Sequence, residues 1–416
     1  MNHPTSATGF RCRLCDAPLR HTFADLGVSP LCQTHVAPDR LAQPERFYPL
    51  HAMACEHCFL VQLPAFVPPD EIFGEYAYFS SYADALVRQA REYCEAMIAR
   101  LGLGADSRVF EVASNDGYLL QHFVARGVPC LGIEPAANVA RAARDKGVPT
   151  EVRFVGRESA AEIVAAHGRA DLLVGNNVLA HVPDLHDFVG GLSILLAPGG
   201  TLTMEFPHLQ RLIEDRLFDT IYHEHFSYLS LASASRLFAM HRMTVFDVEE
   251  VASHGGSYRI HVAHEAAERP VARRVGDTLA RERAAGLERI ETFTRFADEV
   301  ARAKREILAF LVDARGRGKR VAGYGAPGKG NTLLNYCGIR TDFLEFTVDR
   351  NPYKQGQYTP GTRIPILAPE AIRERRPDYL FVLPWNLKAE IVEQAGYIRE
   401  WGGRFVVPLP RLEVIE

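Results

Sequence analysis

Met1 to Gly9 contain no apolar signal core, and no apolar run in the 416 residues is long enough to span a bilayer. The expectation is a cytoplasmic protein with no membrane contact, whose eight cysteines are not paired as disulfides. Long basic runs are also missing. Lys and Arg number 47 against 51 Asp and Glu, and the net charge of −4 argues against a large nucleic-acid footprint. No coiled-coil seam or long apolar stripe demands a second copy, so a monomer is expected. The rest of the composition, 47% apolar and 24% charged, is ordinary for a globular chain of two or three domains.

Against this background one stretch stands out: Val-Phe-Glu-Val-Ala-Ser-Asn-Asp-Gly at 109–117, then Leu-Gly-Ile-Glu-Pro at 131–135. A buried-type strand ends in Glu111, a small-residue turn follows, and a second strand ends in another acid, Glu134. That is the layout of a nucleotide-binding βαβ unit, in which small residues let the backbone approach the ligand and the second acid accepts ribose hydroxyls. The glycine triplet that grips a dinucleotide pyrophosphate is absent. Strands and helices go on alternating: a helix over 138–146, a strand over 171–177, a helix over 188–196 stopped by Ala197-Pro-Gly-Gly200, and a strand over 201–206. The pattern predicts a doubly wound parallel sheet with its ligand at the strand carboxyl ends, where Glu111, Glu134, Asn176 and Asn177 fall. The unit looks like motif I of the S-adenosylmethionine-dependent methyltransferases, with Ala113 at the place of their first glycine.

Two Cys-x-x-Cys pairs, Cys12/Cys15 and Cys55/Cys58, have the spacing of a closed four-thiolate zinc site. Such a site leaves no position open for chemistry, so the zinc is read as structural, holding a lobe too small for a good core of its own. His57 is a weaker rival ligand. Cys32, Cys94, Cys130 and Cys337 stand alone and read as small core residues.

The strongest catalytic candidate is Ile221-Tyr-His-Glu-His-Phe-Ser-Tyr228. It is not the His-Glu-x-x-His of a zinc protease, and a histidine oriented by a carboxylate suits a general base near neutral pH. A polar loop of core histidines is the plainer alternative. His181, past the Asn176-Asn177 strand end, is a second candidate. The segment Tyr76-Ala-Tyr78-Phe-Ser80-Ser81 either drapes over the site or packs its rings between lobes.

Beyond His254-Gly-Gly-Ser257 lies a helical region, 271–317, and then Gly-Tyr-Gly-Ala-Pro-Gly-Lys-Gly at 323–330, with Asp349 ending the next strand. Gly323, Gly325 and Gly328 satisfy GxGxxG, while Gly330 replaces the Ser or Thr of a P-loop. What is left is an anion-compatible helix N-terminus beside Lys329, with Lys354 nearby in sequence. Trp385 either stacks on a base or packs between domains.

These motifs together resemble the sugar C-methyltransferases that build branched deoxysugars for antibiotics, nearest to those acting at C-3′ of a dTDP-3-amino-4-keto-2,3,6-trideoxyhexose on the way to a nitrosugar such as tetronitrose. The resemblance implies an α/β chain of three parts: an N-terminal zinc-binding lobe (1–70), a central class I methyltransferase Rossmann-like domain (71–250), and a second Rossmann-like domain (251–416) that binds the sugar nucleotide. S-adenosylmethionine would lie on Glu111, Ala113, Ser114, Asn115, Gly117, Glu134, Pro135 and Asn177. His225 would be the base, with Glu224 orienting it and Tyr222, His181 and Tyr76 around the sugar. Tyr78, Ser80, Ser257, Lys329, Asp349 and Lys354 would hold the rest of the dTDP-sugar.

Three rivals differ in class. A zinc-knuckle RNA methyltransferase is opposed by the acidic charge balance, and Asn176-Asn177-Val178-Leu179 lacks the Pro-Pro-aromatic motif used on exocyclic amines. A dehydrogenase would use Gly323–Gly328 for NAD. O- or N-methylation of the same sugar needs the same base, so only the resemblance favours carbon.

Overall fold

The computed structural model describes residues 9–68, 72, 79–82 and 84–416, and arranges them around three sheets. The first is antiparallel, in the order β1-β2-β3-β9: His21–Ser29, Tyr48–Ala54, Val61–Gln62 and Ser227–Tyr228. Its fourth strand thus comes, in sequence, from between β8 and β10 of the central sheet.

The central sheet has seven strands, ordered β10-β11-β8-β7-β4-β5-β6. Strands β4 (Val109–Val112), β5 (Cys130–Ile133), β6 (Thr150–Glu151), β7 (Ala170–Asn176) and β8 (Leu196–Pro207) pair in parallel. Strands β10 (Met243–Val251) and β11 (Ser257–His264) add antiparallel to it. The all-buried run Val-Phe-Glu-Val of β4 is what a strand covered by helices on both faces requires. Pro198, Gly199 and Gly200, expected to stop a helix, lie within β8, where its register on β7 slips.

The third sheet has the order β14-β13-β12-β15-β16-β17, made of Ile366–Leu367, Thr347–Val348, Val321–Tyr324, Tyr379–Val382, Arg404–Val407 and Glu413–Ile415. All pairs are parallel except the last.

A domain boundary at 251 falls inside a hairpin, because Gly255 and Gly256, at φ +92° and +122°, turn the chain from β10 back into β11 of the same sheet. Ser257 is therefore a buried residue of the central sheet, its hydroxyl donating to the Ser253 carbonyl at 3.1 Å. The helical region 271–317 is three helices, Arg273–Ala284, Ile290–Thr294 and Phe296–Gly316.

The N-terminal lobe shares its core with both neighbours. Phe23 stacks on Phe296 at 4.4 Å, so β1 rests on the stripe Phe296, Val300, Ala303, Ile307 and Leu311. The cysteine end packs with Leu185, Leu229 and Phe238 of the central domain. Among the described residues no helix is long and apolar enough to cross a membrane.

A buried carboxylate joins two helices. Glu282 accepts from the backbone N–H groups of Leu231 (2.7 Å) and Ala232 (3.0 Å) at the start of helix Leu231–Ala239. Burial outweighs those bonds and pushes its pKa from 4.5 up to about 7. The stability it contributes is complete below its unfolded pKa and is lost as pH rises through the folded one. Between pH 4.5 and 8 the wild type is expected to lose about 3 kcal/mol of unfolding free energy relative to Glu282→Gln, measured by urea titration. Parallel curves for the two proteins would refute the assignment.

Candidate active site

The four cysteines converge. Cys12 Sγ lies 3.4 Å from Cys58 Sγ and Cys15 Sγ 3.6 Å from Cys55 Sγ, and all four sulfurs fall within 4.8 Å of one another. A tetrahedral zinc with bonds of about 2.3 Å needs sulfur–sulfur edges of about 3.8 Å, so the donor set fits that metal. Gln62 Nε2 donates to Cys12 Sγ at 3.1 Å, in the manner of an outer partner to a thiolate ligand. His57 is mostly exposed and is not part of the group. Between two of the ligands, Arg13 donates to the Pro183 carbonyl at 3.2 Å and to the Leu63 carbonyl, and its guanidinium lies over the Phe226 ring. The knuckle thus holds the loops that carry His181 and His225.

The turn after β4 is held in an unusual conformation. Ala113 and Asn115 adopt φ of +53° and +49°, and Gly117 φ of +74°. A Cβ on Gly117 would meet Val148 at 2.9 Å, so glycine is required there. Glu134 clamps the turn: one carboxylate oxygen accepts from Asn115 N and the other from Ala136 N across Pro135, both at 2.9 Å. Ser80, expected at the substrate, instead lies against this turn, its N–H donating to Asn115 Oδ1 at 2.8 Å. Tyr76 and Tyr78 lie outside the described residues.

Around the turn sits a group of buried acceptors. Both carboxyl oxygens of Glu111, the Ser114 hydroxyl, Asp116 Oδ1, Asn176 Oδ1 and Asn177 Oδ1 have no hydrogen-bond partner among the described residues. Burial, with Glu134 and Asp116 near, raises the Glu111 pKa well above the carboxylate range. Unmatched buried acceptors are costly, and an acid-lined cradle favours a ligand bearing N–H donors and positive charge over a pyrophosphate. The ammonium and sulfonium of S-adenosylmethionine meet that demand.

The Tyr-His-Glu-His-Phe segment does not act as a block. His223 turns to the N-terminal lobe, its Nε2 on the Pro49 carbonyl at 3.2 Å. Glu224 is buried and accepts from the Cys32 thiol at 3.4 Å. His225 faces the other way. Its ring lies 4.0 Å from Tyr222 and 4.7 Å edge-on from His181. Its Nδ1 is 2.9 Å from the Thr220 carbonyl. A carbonyl only accepts, so Nδ1 carries the proton and Nε2 is the basic nitrogen of the neutral ring. Thr220 thus orients His225 at Nδ1.

In the third sheet the expected substrate residues close their own loop. Asp349 accepts from Ala326 N and Asn351 N, each at 2.8 Å, and Lys354 Nζ donates to the Ala326 carbonyl at 2.8 Å. Lys329, in the first turn of helix Gly328–Cys337, reaches Asn386 Oδ1 at 2.9 Å and lies 4.4 Å over the Trp385 ring. Trp385 itself is buried and donates to Asp219 at 2.7 Å, so it packs between lobes. Sequence reasoning passed over Thr220, Asp219, Arg13 and His35. The last is half-buried near Asp349 and Lys354, its pKa pushed down to about 4 chiefly by desolvation. None of the four sits in a motif that would single it out.

Comparison with known proteins now bears on this geometry. Three family profiles match in succession: a zinc binding domain over residues 12–73, a methyltransferase domain over 86–241, and a C-methyltransferase C-terminal domain over 252–410. The C-methyltransferase NovU of Streptomyces niveus is 38% identical over 404 residues, 97% of this chain and 96% of that protein. The chain belongs to the S-adenosylmethionine-dependent C-methyltransferases. The ubiquinone biosynthesis O-methyltransferase of Rhodopseudomonas palustris is 25% identical over 24% of this chain and 40% of its own. A solved magnesium protoporphyrin IX methyltransferase from Synechocystis PCC 6803 aligns over 47% of this chain and 91% of its own, at 13% identity and a TM-score of 0.35.

In this C-methyltransferase, S-adenosylmethionine is the methyl donor and the cysteine cluster binds zinc. The purified protein is expected to carry one zinc by elemental analysis. Cys58→Ser should lose it, together with about 3 kcal/mol or more of unfolding free energy, because a closed metal site is folding energy. Metal-free wild type with unchanged stability in the variant would overturn the structural role.

Proposed function

We propose that the enzyme methylates C-3′ of a dTDP-linked 3-amino-4-keto-2,3,6-trideoxysugar, with His225 as the base, in antibiotic deoxysugar biosynthesis. The observation that carries the reading is the His225–Thr220 bond, which makes Nε2 the basic nitrogen beside Tyr222 and His181. A ketone at C-4 acidifies the proton on C-3. His225 Nε2 removes that proton, the electron pair moves into a C-3–C-4 double bond, and negative charge gathers on the former ketone oxygen. Tyr222, Tyr76 and His181 donate hydrogen bonds to that oxygen as the charge develops. The enolate carbon would take the methyl group that S-adenosylmethionine supplies, and the electron pair of the broken C–S bond would leave with S-adenosylhomocysteine.

Bound S-adenosylmethionine supplies an electrophilic methyl on a cationic sulfonium, so the protein needs no Lewis acid for the transfer. Glu111 and Asn177 receive its amino-acid end, and the remaining lone pairs of Glu134 receive its ribose. The fit of an ammonium to the unmatched Glu111 carboxyl supports this placement. The family membership supports carbon as the site of methylation over oxygen or nitrogen. The helix N-terminus at Gly328, with Lys329 beside it and Lys354 behind the loop, is compatible with a diphosphate.

Incubation with labelled S-adenosylmethionine and the dTDP-4-ketosugar is expected to yield a carbon-bound methyl at C-3, read by mass and NMR. His225→Ala should lower kcat by about 10²- to 10⁴-fold. A methyl on oxygen or nitrogen would sink the carbon-directed reading. Full activity of the variant would remove His225 from the role of base.

A further inference from the structure

The carbonyl that orients His225 belongs to the one-turn helix Phe218–Thr220, and this turn is anchored in the C-terminal lobe although it sits between strands of the other two sheets in sequence. Phe218 and Ile221 are fully buried in the core shared with that lobe, and the Phe218 ring meets Tyr336 of helix Gly328–Cys337 at 5.3 Å. The residue between them in the turn, Asp219, has no solvent exposure and accepts the indole N–H of Trp385 at 2.7 Å. Trp385 begins the turn just beyond β15, and its ring carries Lys329 on one face. On another side stands Gly255, where a Cβ would come within 2.6 Å of the indole, so the hairpin between β10 and β11 also confines the ring. The indole has almost no freedom to tilt, and its N–H has a single direction in which to point.

We propose that Trp385 and Asp219 are positioning residues for the catalytic base: by their hydrogen bond the C-terminal lobe fixes the turn whose Thr220 carbonyl sets the tautomer and orientation of His225. This rests on the reading of His225 as the base. Neither residue touches the reacting atoms. They act on Thr220, one residue from Asp219, and through it on the Nδ1 proton. Lys329 stands on the same indole, so a ligand anion engaged at the start of helix Gly328–Cys337 bears on the same chain of contacts. What matters is the hydrogen bond and not the carboxylate charge. Burial raises the Asp219 pKa to about 6, which still leaves the carboxylate mostly ionised at neutral pH. An asparagine, which keeps an oxygen acceptor, should do the same work.

The test uses full-length, zinc-loaded enzyme with ¹⁵N-labelled histidine. The His225 signals are identified by their loss in His225→Gln. In the wild type His225 is expected as the Nδ1–H tautomer. In Trp385→Phe and Asp219→Ala the two ring-nitrogen shifts should converge toward a tautomer mixture, and kcat should fall on the order of 10- to 100-fold with KM for the sugar nucleotide within about 2-fold, as expected when a base is misplaced rather than lost. Asp219→Asn should keep the wild-type tautomer and most of kcat. Should Trp385→Phe fail to fold, the contrast of Asp219→Ala with Asp219→Asn carries the same decision. An unchanged His225 spectrum in folded Trp385→Phe or Asp219→Ala overturns the proposal, and so does a tautomer mixture in Asp219→Asn equal to that in Asp219→Ala. The spectra need no substrate. A wild type that places no methyl on carbon would sink the proposed reaction, while the tautomer comparison would still decide the positioning.

Discussion

The bond between His225 Nδ1 and the Thr220 carbonyl is short in sequence but depends on all three lobes. The turn that offers the carbonyl is buried against the C-terminal lobe. The loop that offers the imidazole is pinned on the other side, where Phe226 N donates to Ala180 O at 2.7 Å and Leu63 N to Phe226 O at 3.0 Å. These bonds tie the loop to the central domain and to the zinc lobe at once. A neutral imidazole is useful as a base only if one defined nitrogen faces the substrate. Moving any one lobe would alter the donor, the acceptor or the angle between them.

The second constraint is electrostatic. Glu111, Asp116 and Glu134 crowd one turn, and only two of them are fully matched or ion-paired: Glu134 with two backbone N–H groups, Asp116 with Lys146 at 2.8 Å. Glu111 has neither. A buried carboxyl left in that state is destabilising on its own, and a cationic ligand repairs it. Such a turn favours a cationic ligand over an anionic one. The left-handed backbone at Ala113 and Asn115 adds local strain of about 1–2 kcal/mol per residue, of the kind that binding loops tolerate.

Much of this was legible in the chain. The runs of β4 and β5, with Glu111 one residue before the end of the first and Glu134 just past the second, mark their own place in a parallel sheet, because strands covered on both faces are mostly apolar. Paired Cys-x-x-Cys motifs announce a metal by spacing alone. Contacts between distant positions left no such mark. Asp219 and Trp385 are 166 residues apart, and Cys32 and Glu224 are 192 apart. Local periodicity says nothing about such pairs, and the bond from the Cys32 thiol to the Glu224 carboxylate has no signature in either segment. For the same reason His254-Gly-Gly-Ser257 did not announce the hairpin that joins β10 to β11. Two glycines with positive φ serve a tight hairpin as readily as a flexible joint, and only the pairing of β10 with β11 separates the two.

The zinc lobe makes sense in these terms. Its sheet buries one side on the Phe296 stripe and its cysteine end on the central domain, so it has little core to call its own. A closed metal site is the economical way to make such a wedge stiff, since four thiolates around one ion fix two turns relative to each other without apolar volume. Stiffness has a use here because Arg13, between Cys12 and Cys15, reaches across to Pro183 and Leu63, while Gln62 joins its backbone N–H to the Cys12 thiol. A flexible knuckle would leave that guanidinium free to choose among water and other carbonyls. Held by the metal turn, it bridges the His181 loop and the segment just past β3 that anchors Phe226.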